Sequence, residues 1–423
     1  MIRLSKHNIQ ALYLYISTLL GSLLGFVTSV INTNFLSVSD YGDVRYVQNL
    51  ISFFSWVLLF GFFLSGSRLL AVSRSECYRR KVRGAMILLL LASSVILMGI
   101  TCLIGILHSD SYVVRHLFIA SLPVCFYPLL TNYINTTAQG DNFIGRLALS
   151  RVLPALLYVP VAYWIYSSYG ATPTLMVLLQ WGLYCSILVG IIASTKPSFK
   201  ELKPVFIELQ SENKTYGLHL YYGSLAMVAT SYLAGVTLGI FNEDNVNVGY
   251  YTLALTLTTP LSYLPGIIGT VYFKKFVNEP RIPNKVMKST LLLTVLSCVC
   301  FVLFVRVFVH MFYPESYAMV GTYASWLAAG FSIHGLGDMI NRFFGSHGVG
   351  KPIRNSSYAC GLIKVTGFIV LVWLWDINGA IITQIMSSCV YFVTMYWYYR
   401  RMFLHLAGEM SITDVDAASE PDL

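Results

Sequence analysis

The sequence predicts an all-α membrane protein of about twelve transmembrane helices, in two six-helix bundles related by a pseudo-two-fold axis along the membrane normal. Three observations carry this. Apolar residues make up 56% of the chain and charged residues 11%, against about 25% charged in soluble domains. That is too few to wet a surface. The apolar residues also come in runs of about 20, the length a helix needs to cross about 30 Å of hydrocarbon. Finally, landmarks in the first half of the chain return in the second at a nearly constant offset.

The spans fall at about 9–31, 46–68, 84–107, 114–138, 147–168, 173–194, 216–240, 249–273, 288–311, 319–344, 355–375 and 378–400. The first is preceded by Arg3 and Lys6, as a signal peptide would be, but it is too long for a signal h-region and no A-x-A-like site follows it. It reads as a retained span. With the N-terminus inside, 24 of the 28 Lys and Arg lie in cytoplasmic segments. Arg45 and Arg115 lie on the other face, and Arg306 and Lys364 within spans. The positive-inside rule therefore places both termini in the cytoplasm, and the protein is expected in an inner membrane. The aromatics agree: Tyr396–Tyr399 run into Arg400 and Arg401, an interfacial belt followed by an anchor, while Tyr163, Trp164, Tyr166 and Tyr169 mark the opposite interface.

The repeat rests on four landmarks. Gly42 and Arg68 bracket the second span as Gly249 and Lys275 bracket the eighth, Ile134-Asn135 returns as Ile340-Asn341, and Gly170-Ala171 returns as Gly379-Ala380. Six spans per half is an even number, so both halves enter the membrane in the same sense, the parallel-repeat plan of many transporters. The domains expected are an N-terminal bundle over 1–200, a cytoplasmic linker over 201–215, a C-terminal bundle over 216–401 and an acidic cytoplasmic tail over 402–423, whose composition suggests disorder. No segment between spans is long enough to fold as a catalytic domain, so the chain is not expected to be an enzyme.

Several sharper readings yield to bland ones. The net charge of +9 sits in short clusters between spans, which excludes a nucleic-acid role. The eight cysteines contain no C-x-x-C pair, and most lie in apolar runs; neither a metal nor a cofactor is implied. Gly345-Ser346-His347-Gly348-Val349-Gly350-Lys351 matches the first seven positions of a phosphate loop, but Pro352 stands where Ser or Thr must hold magnesium and a membrane helix precedes it. Asp40 and Asp43 form a polar turn rather than a glycosyltransferase metal site. Gly21-x-x-x-Gly25 and Gly235-x-x-x-Gly239 are packing devices.

Ionisable residues within spans are more telling, because an unpaired charge in hydrocarbon costs several kcal/mol. Lys364 lies about ten residues into span 11, roughly 15 Å deep at 1.5 Å per residue, and is expected to line a cavity and face a ligand. His334, Asp338 and Arg342 form an i, i+4, i+8 stripe on span 10 with Asn341 beside it; Asp338 could equally pair with Arg342 or Lys364 and pin spans 10 and 11 together. Arg68, Lys275 and Arg306 are lumen candidates that could instead snorkel to headgroups. Pro123, Pro128, Pro154, Pro160, Pro260 and Pro265 fall in spans 4, 5 and 8, where each can kink a helix.

These features resemble a known family. Leu36-Ser37-Val38-Ser39-Asp40-Tyr41-Gly42 resembles the L-x-x-x-x-Y-G turn of Wzx-type O-antigen and polysaccharide flippases, of the multidrug/oligosaccharidyl-lipid/polysaccharide exporter superfamily. Gly66-Ser67-Arg68 resembles the end of their second helix, Val248-Gly249-Tyr250-Tyr251 the start of their eighth, Gly348-Val349-Gly350-Lys351 their turn before span 11, and Asn378-Gly379-Ala380 the start of span 12. The resemblance implies translocation of an undecaprenyl-pyrophosphate-linked oligosaccharide between leaflets. Lys364, Arg342, Arg68, Lys275, Arg306 and Asn341 would then meet the substrate in the lumen, with Asp338 and His334 in coupling or pairing. It also implies lipids, an O-antigen polymerase and a chain-length regulator as partners. Two alternatives are a cation-coupled drug antiporter of the same superfamily and a membrane polymerase or glycosyltransferase. The first commonly needs an acidic residue in the first span, which this chain lacks; the second usually needs a sizeable periplasmic loop.

Overall fold

The structure, a computed structural model, describes residues 6–73, 75–108 and 111–417, without the side chains of 6–15, 229, 274 and 403–417. Arg3, the Lys6 side chain, the turn at Asp110 and the end of the acidic tail lie outside the described residues. Among the described residues the chain is helical throughout, with no strand. The end of the bundle that carries most of the basic residues is termed the basic face.

Span 1 is α1 (Lys6–Phe35). Span 2 is broken into α2 (Val38–Val57) and α3 (Phe62–Val72), bent by 59°. The break sits where Phe60 (φ 44°) and Gly61 (φ 78°) take left-handed conformations, which no α-helix can propagate. Span 3 is α4 (Glu76–Leu107). Span 4 is α5 (Tyr112–Ser121) and α6 (Tyr127–Gly140), bent by 42° around a 3-10 turn holding Pro123, with Pro128 in the first turn of α6. Spans 5 and 6 are α7 (Ile144–Tyr169) and α8 (Pro173–Ala193). In α8, Thr172 caps the first turn and Pro173 begins it, where a missing N–H costs nothing.

The expected linker carries a helix, α9 (Lys203–Glu212), which leads through a π-segment into α10 (Leu218–Ser224) and, after a second π-segment, α11 (Thr230–Phe241). Then follow α12 (Val246–Phe276), α13 (Asn284–Phe312), α14 (Met319–Ser346) and α15 (Gly350–Ala417). The last folds back on itself at Asp376 (φ 52°). Asn355 Nδ2 in its first arm donates to Tyr398 Oη in its second, at 2.7 Å, so the two arms are antiparallel spans 11 and 12. The second arm runs on into the expected disordered tail, through Leu404, Leu406, Ala407, Glu409 and Met410, all good helix formers.

Length and hydropathy alone pass six helices and three bent pairs as spans. The fold of α15 adds one, and α12 and α14, 31 and 28 residues long, are long enough but too polar for that criterion. They make twelve among the described residues. The prolines act unequally: those of span 4 break it, whereas Pro154 and Pro160, and Pro260 and Pro265, lie inside unbroken α7 and α12.

Helix pairing repeats between halves. The α1–α7 contact returns as α11 against the first arm of α15, α3–α6 as α12–α14, and α6–α8 as α14 against the second arm. Between halves, α2 meets α11 and α12, and α1 meets α12. The repeat's own glycines meet across this junction. A Cβ on Gly249 would lie 3.3 Å from Gly42 Cα, and a Cβ on Gly42 would come within 2.0 Å of the Asn245 carbonyl. Asn245 also donates to Asp43 at 2.8 Å, so α2 and the start of α12 are in close contact at the end opposite the basic face.

Orientation gives a first prediction. Cysteines introduced beside Arg80, Lys203 and Lys351 should react only with reagents that reach the cytoplasm, and one beside Glu243 only with reagents applied outside. Labelling from outside next to Arg80 would invert the topology.

Candidate functional site

A cavity of 490 Å³ lies between α1, α6, α7 and α8 and reaches the second lobe through Tyr263 of α12. Its place in the membrane follows from helix rise. Arg151 is seven residues into α7, about 10 Å from the basic end at 1.5 Å per residue. Thr131 and Asn135 lie in the last turns of α6 before that face. The cavity therefore occupies the half of the membrane nearer the basic face. Glycine makes its wall on α1, where a Cβ on Gly21 would sit 3.3 Å from the Arg151 carbonyl and Gly25 has open space before it.

The lining is polar and aromatic, and of one charge. Arg151 supplies a guanidinium whose Nη1 donates to Thr18 Oγ1 at 2.6 Å. No carboxylate lies within ion-pairing distance of it, and no Asp or Glu lines the cavity among the described residues. Ser22, Thr131, Ser150 and Asn135 add neutral hydrogen-bonding groups, and Tyr127, Tyr184 and Tyr263 add rings. Tyr127 and Tyr184 meet edge to face at 5.5 Å, a preferred aromatic geometry. Such a chamber, within the usual volume of small-molecule sites, is suited to an anion carrying hydroxyl groups and faces that can lie on rings.

The six residues expected in the lumen do not line this cavity. Lys364 is buried, 4% exposed, and donates from Nζ to Ser231 Oγ on α11 at 2.9 Å. By the offset of 209 at Gly170 and Gly379, its counterpart in the first lobe is Ala155, which does line the cavity. Arg68 is tied to the linker helix, its Nη1 2.6 Å from Glu212 Oε1 and its guanidinium over the Tyr216 ring at 4.8 Å. Arg306 is exposed on α13, and Lys275 and Arg342 are exposed near the basic ends of α12 and α14. Asn341 instead joins a cluster around Tyr391: Asn341 Nδ2 donates to Tyr391 Oη at 3.0 Å, Tyr391 Oη donates to Asp338 Oδ1 at 3.0 Å, and the His334 ring stacks on Tyr391 at 4.5 Å. The alternative of a salt bridge from Asp338 to Arg342 or Lys364 is not realised among the described residues: neither cation comes within 4.0 Å of it. A hydroxyl satisfies the carboxylate instead.

Arg151 is the residue that sequence reasoning missed. It lies only a few positions inside span 5, within the error of any span boundary, and so counted among the cytoplasmic charges. One signal could have found it. Asn135, the first-lobe member of the repeated Ile-Asn pair, also lines the cavity.

The model for the polysaccharide biosynthesis protein family matches residues 10–276, well over half of the chain. Among solved structures, the lipid II flippase MurJ in an inward closed conformation superposes with a TM-score of 0.72 at 14% identity, covering 97% of this chain and 93% of that one. An inward-facing multidrug resistance MATE family transporter of the MOP superfamily gives 0.68 at 13%, covering 92% and 96%. A MOP superfamily transporter from Pyrococcus furiosus gives 0.58 at 14%, covering 94% and 95%. No curated protein matches by sequence. With twelve spans among its described residues and a fold like that of the MOP superfamily transporters, the chain belongs to the polysaccharide biosynthesis protein family.

Proposed function

We propose that this protein is a flippase that carries an undecaprenyl-pyrophosphate-linked oligosaccharide repeat unit, such as an O-antigen unit, from the cytoplasmic to the periplasmic leaflet by alternating access. The cavity is the observation that carries the reading. It stands in the half nearer the basic face, with one uncompensated guanidinium and a lining of hydroxyls and tyrosines. A pyrophosphate leaving the headgroup layer loses water and needs charge-assisted donors in return, which a guanidinium supplies. Tyrosine offers the following sugars both a flat apolar face and a hydroxyl.

Lys364 is the second-lobe counterpart in this scheme, on the helix equivalent to α7 and one turn further along. Exposed Lys275 and Arg342 would meet the headgroup at the cytoplasmic mouth. The absence of acidic residues from α1 and from the cavity lining argues against a cation-coupled drug antiporter.

Deleting the gene should abolish surface polysaccharide and leave single lipid-linked repeat units on the cytoplasmic face. If those units reach the periplasm at the normal rate and only polymerisation stops, the protein is a polymerase and this reading is wrong.

A further inference from the structure

Three of the buried side-chain polar atoms that find no hydrogen-bond partner gather at the end of the bundle opposite the basic face: Asn32 Nδ2, Tyr41 Oη and Arg45 Nε. They come from the last turn of α1 and the first two turns of α2. The guanidinium of Arg45 lies over the Tyr41 ring at 4.8 Å, and its Nη1 donates to Gln48 Oε1 at 2.8 Å. Asn32 Oδ1 accepts from Tyr158 Oη at 2.6 Å. Gln48 in turn donates to Gln180 Oε1 on α8 at 3.3 Å, and among the described residues no carboxylate comes within 4.0 Å of Arg45. Tyr317, whose ring meets that of Tyr41 edge to face at 6.1 Å, donates from Oη to the Leu36 and Ser37 carbonyls at 3.1 and 3.0 Å, and the Gly42–Gly249 contact lies at the same end. The ring of Tyr184 meets that of Tyr158 at 6.0 Å, and Tyr184 also lines the 490 Å³ cavity.

Buried donors without acceptors, around an uncompensated cation, are costly to keep for packing alone. They are what an anionic ligand with several acceptor oxygens would satisfy. We propose that Arg45, with Asn32 and Tyr41, forms a second anion station, which receives the sugar-linked pyrophosphate from Arg151 past Tyr184 when the outer ends of α2 and α12 part. This rests on the flippase reading and adds to it a division of labour: Arg151 loads the cargo, and Arg45 takes it toward release.

The two roles separate experimentally. Full-length protein in lipid nanodiscs would be tested for equilibrium binding of undecaprenyl pyrophosphate, and cells for surface polysaccharide at matched membrane levels of each variant. Arg45→Gln is expected to bind the probe within about twofold of the unaltered protein, the loading site being intact, yet to lower surface polysaccharide at least tenfold. Arg45→Lys, which keeps the charge and loses the planar fork, should recover a third or more of it. Arg151→Gln should lower binding and transport together. Normal polysaccharide in Arg45→Gln overturns the exit station. So does an Arg45→Lys variant that is as inactive as Arg45→Gln although present at full level, since packing rather than charge would then be at stake. Failure of the unaltered protein to bind the probe at all would remove the flippase reading itself.

Discussion

Replacing Arg151 by glutamine is expected to abolish surface polysaccharide while the protein stays in the membrane at its normal level. The guanidinium is the one formal charge on the cavity wall, and its bond goes to a hydroxyl, Thr18 Oγ1, rather than to a carboxylate. Removing it leaves no buried counter-ion behind, so folding is spared. What is lost is a charge-assisted contact to the cargo, about 1.5–3 kcal/mol for a hydrogen bond to a charged group, or roughly ten- to a hundredfold in affinity at 1.4 kcal/mol per decade. Arg151→Lys should keep part of the activity, because the charge survives although the bidentate fork does not. Thr18→Val frees the guanidinium from its partner and should change transport far less than either. Quantitative polysaccharide immunoblots against membrane levels decide it. Wild-type polysaccharide in Arg151→Gln would remove the cavity from the mechanism.

The contrast between Arg151 and Lys364 shows what a sequence of this kind displays and what it hides. Lipid imposes a length and a polarity on each span, so the spans were legible wherever the apolar run was long, and the repeat was legible because glycines and polar landmarks survive at constant offset. Gly42 and Gly249 even meet each other across the pseudo-axis. The bend in span 2 was not legible. It turns on the left-handed backbone at Phe60 and Gly61, and a Phe-Gly pair in an apolar run carries no mark of it. Lys364 was singled out by its distance from both ends of span 11, and its side chain is buried within the protein. Facing was not legible. Whether a cation at a given depth turns to a cavity, to a neighbouring hydroxyl or to lipid depends on which helix packs beside it, and α11 supplies Ser231 to Lys364 while the gap between α1 and α7 leaves room at Arg151. Asp338 makes the same point. Its i+4 neighbour Arg342 was the obvious partner on one helix, but Tyr391 arrives from another.

Replacing Asp141 by asparagine should damage the protein in the opposite manner, through folding rather than transport. At the basic end of the first lobe the Arg83 side chain is 1% exposed and that of Asp141 2%. Arg83 grips the carboxylate with both arms of its fork, Nε to Oδ2 at 2.6 Å and Nη2 to Oδ1 at 2.9 Å. Its Nη1 donates to the Thr195 carbonyl at 2.9 Å and to Glu76 Oε1 at 2.8 Å. Arg79 closes the network, donating to Asp141 Oδ1 at 3.1 Å and to the Asp141 carbonyl at 3.0 Å. Three segments, the start of α4 and the ends of α6 and α8, are thereby held together. Neutralising Asp141 alone leaves Arg83 buried without its main counter-charge, at about 3–5 kcal/mol, so Asp141→Asn should be depleted from the membrane and lose polysaccharide only in proportion. Removing both charges, as Arg83→Met with Asp141→Leu, should restore much of the level, since a well-packed apolar pair can match a buried ion pair. Glu76 contributes less, because its side chain is 58% exposed and screened pairs are worth about 0–1 kcal/mol. The hydrogen bond from Arg83 holds its carboxyl below the ordinary glutamate value. That share of stability is therefore complete above the ordinary value and is lost as pH falls through the lowered one. Thermal unfolding in detergent should show Asp141→Asn melting well below the unaltered protein at neutral pH, with Glu76→Gln close to it. A normal melting temperature and normal abundance for Asp141→Asn would mean that the network is not what joins these three segments.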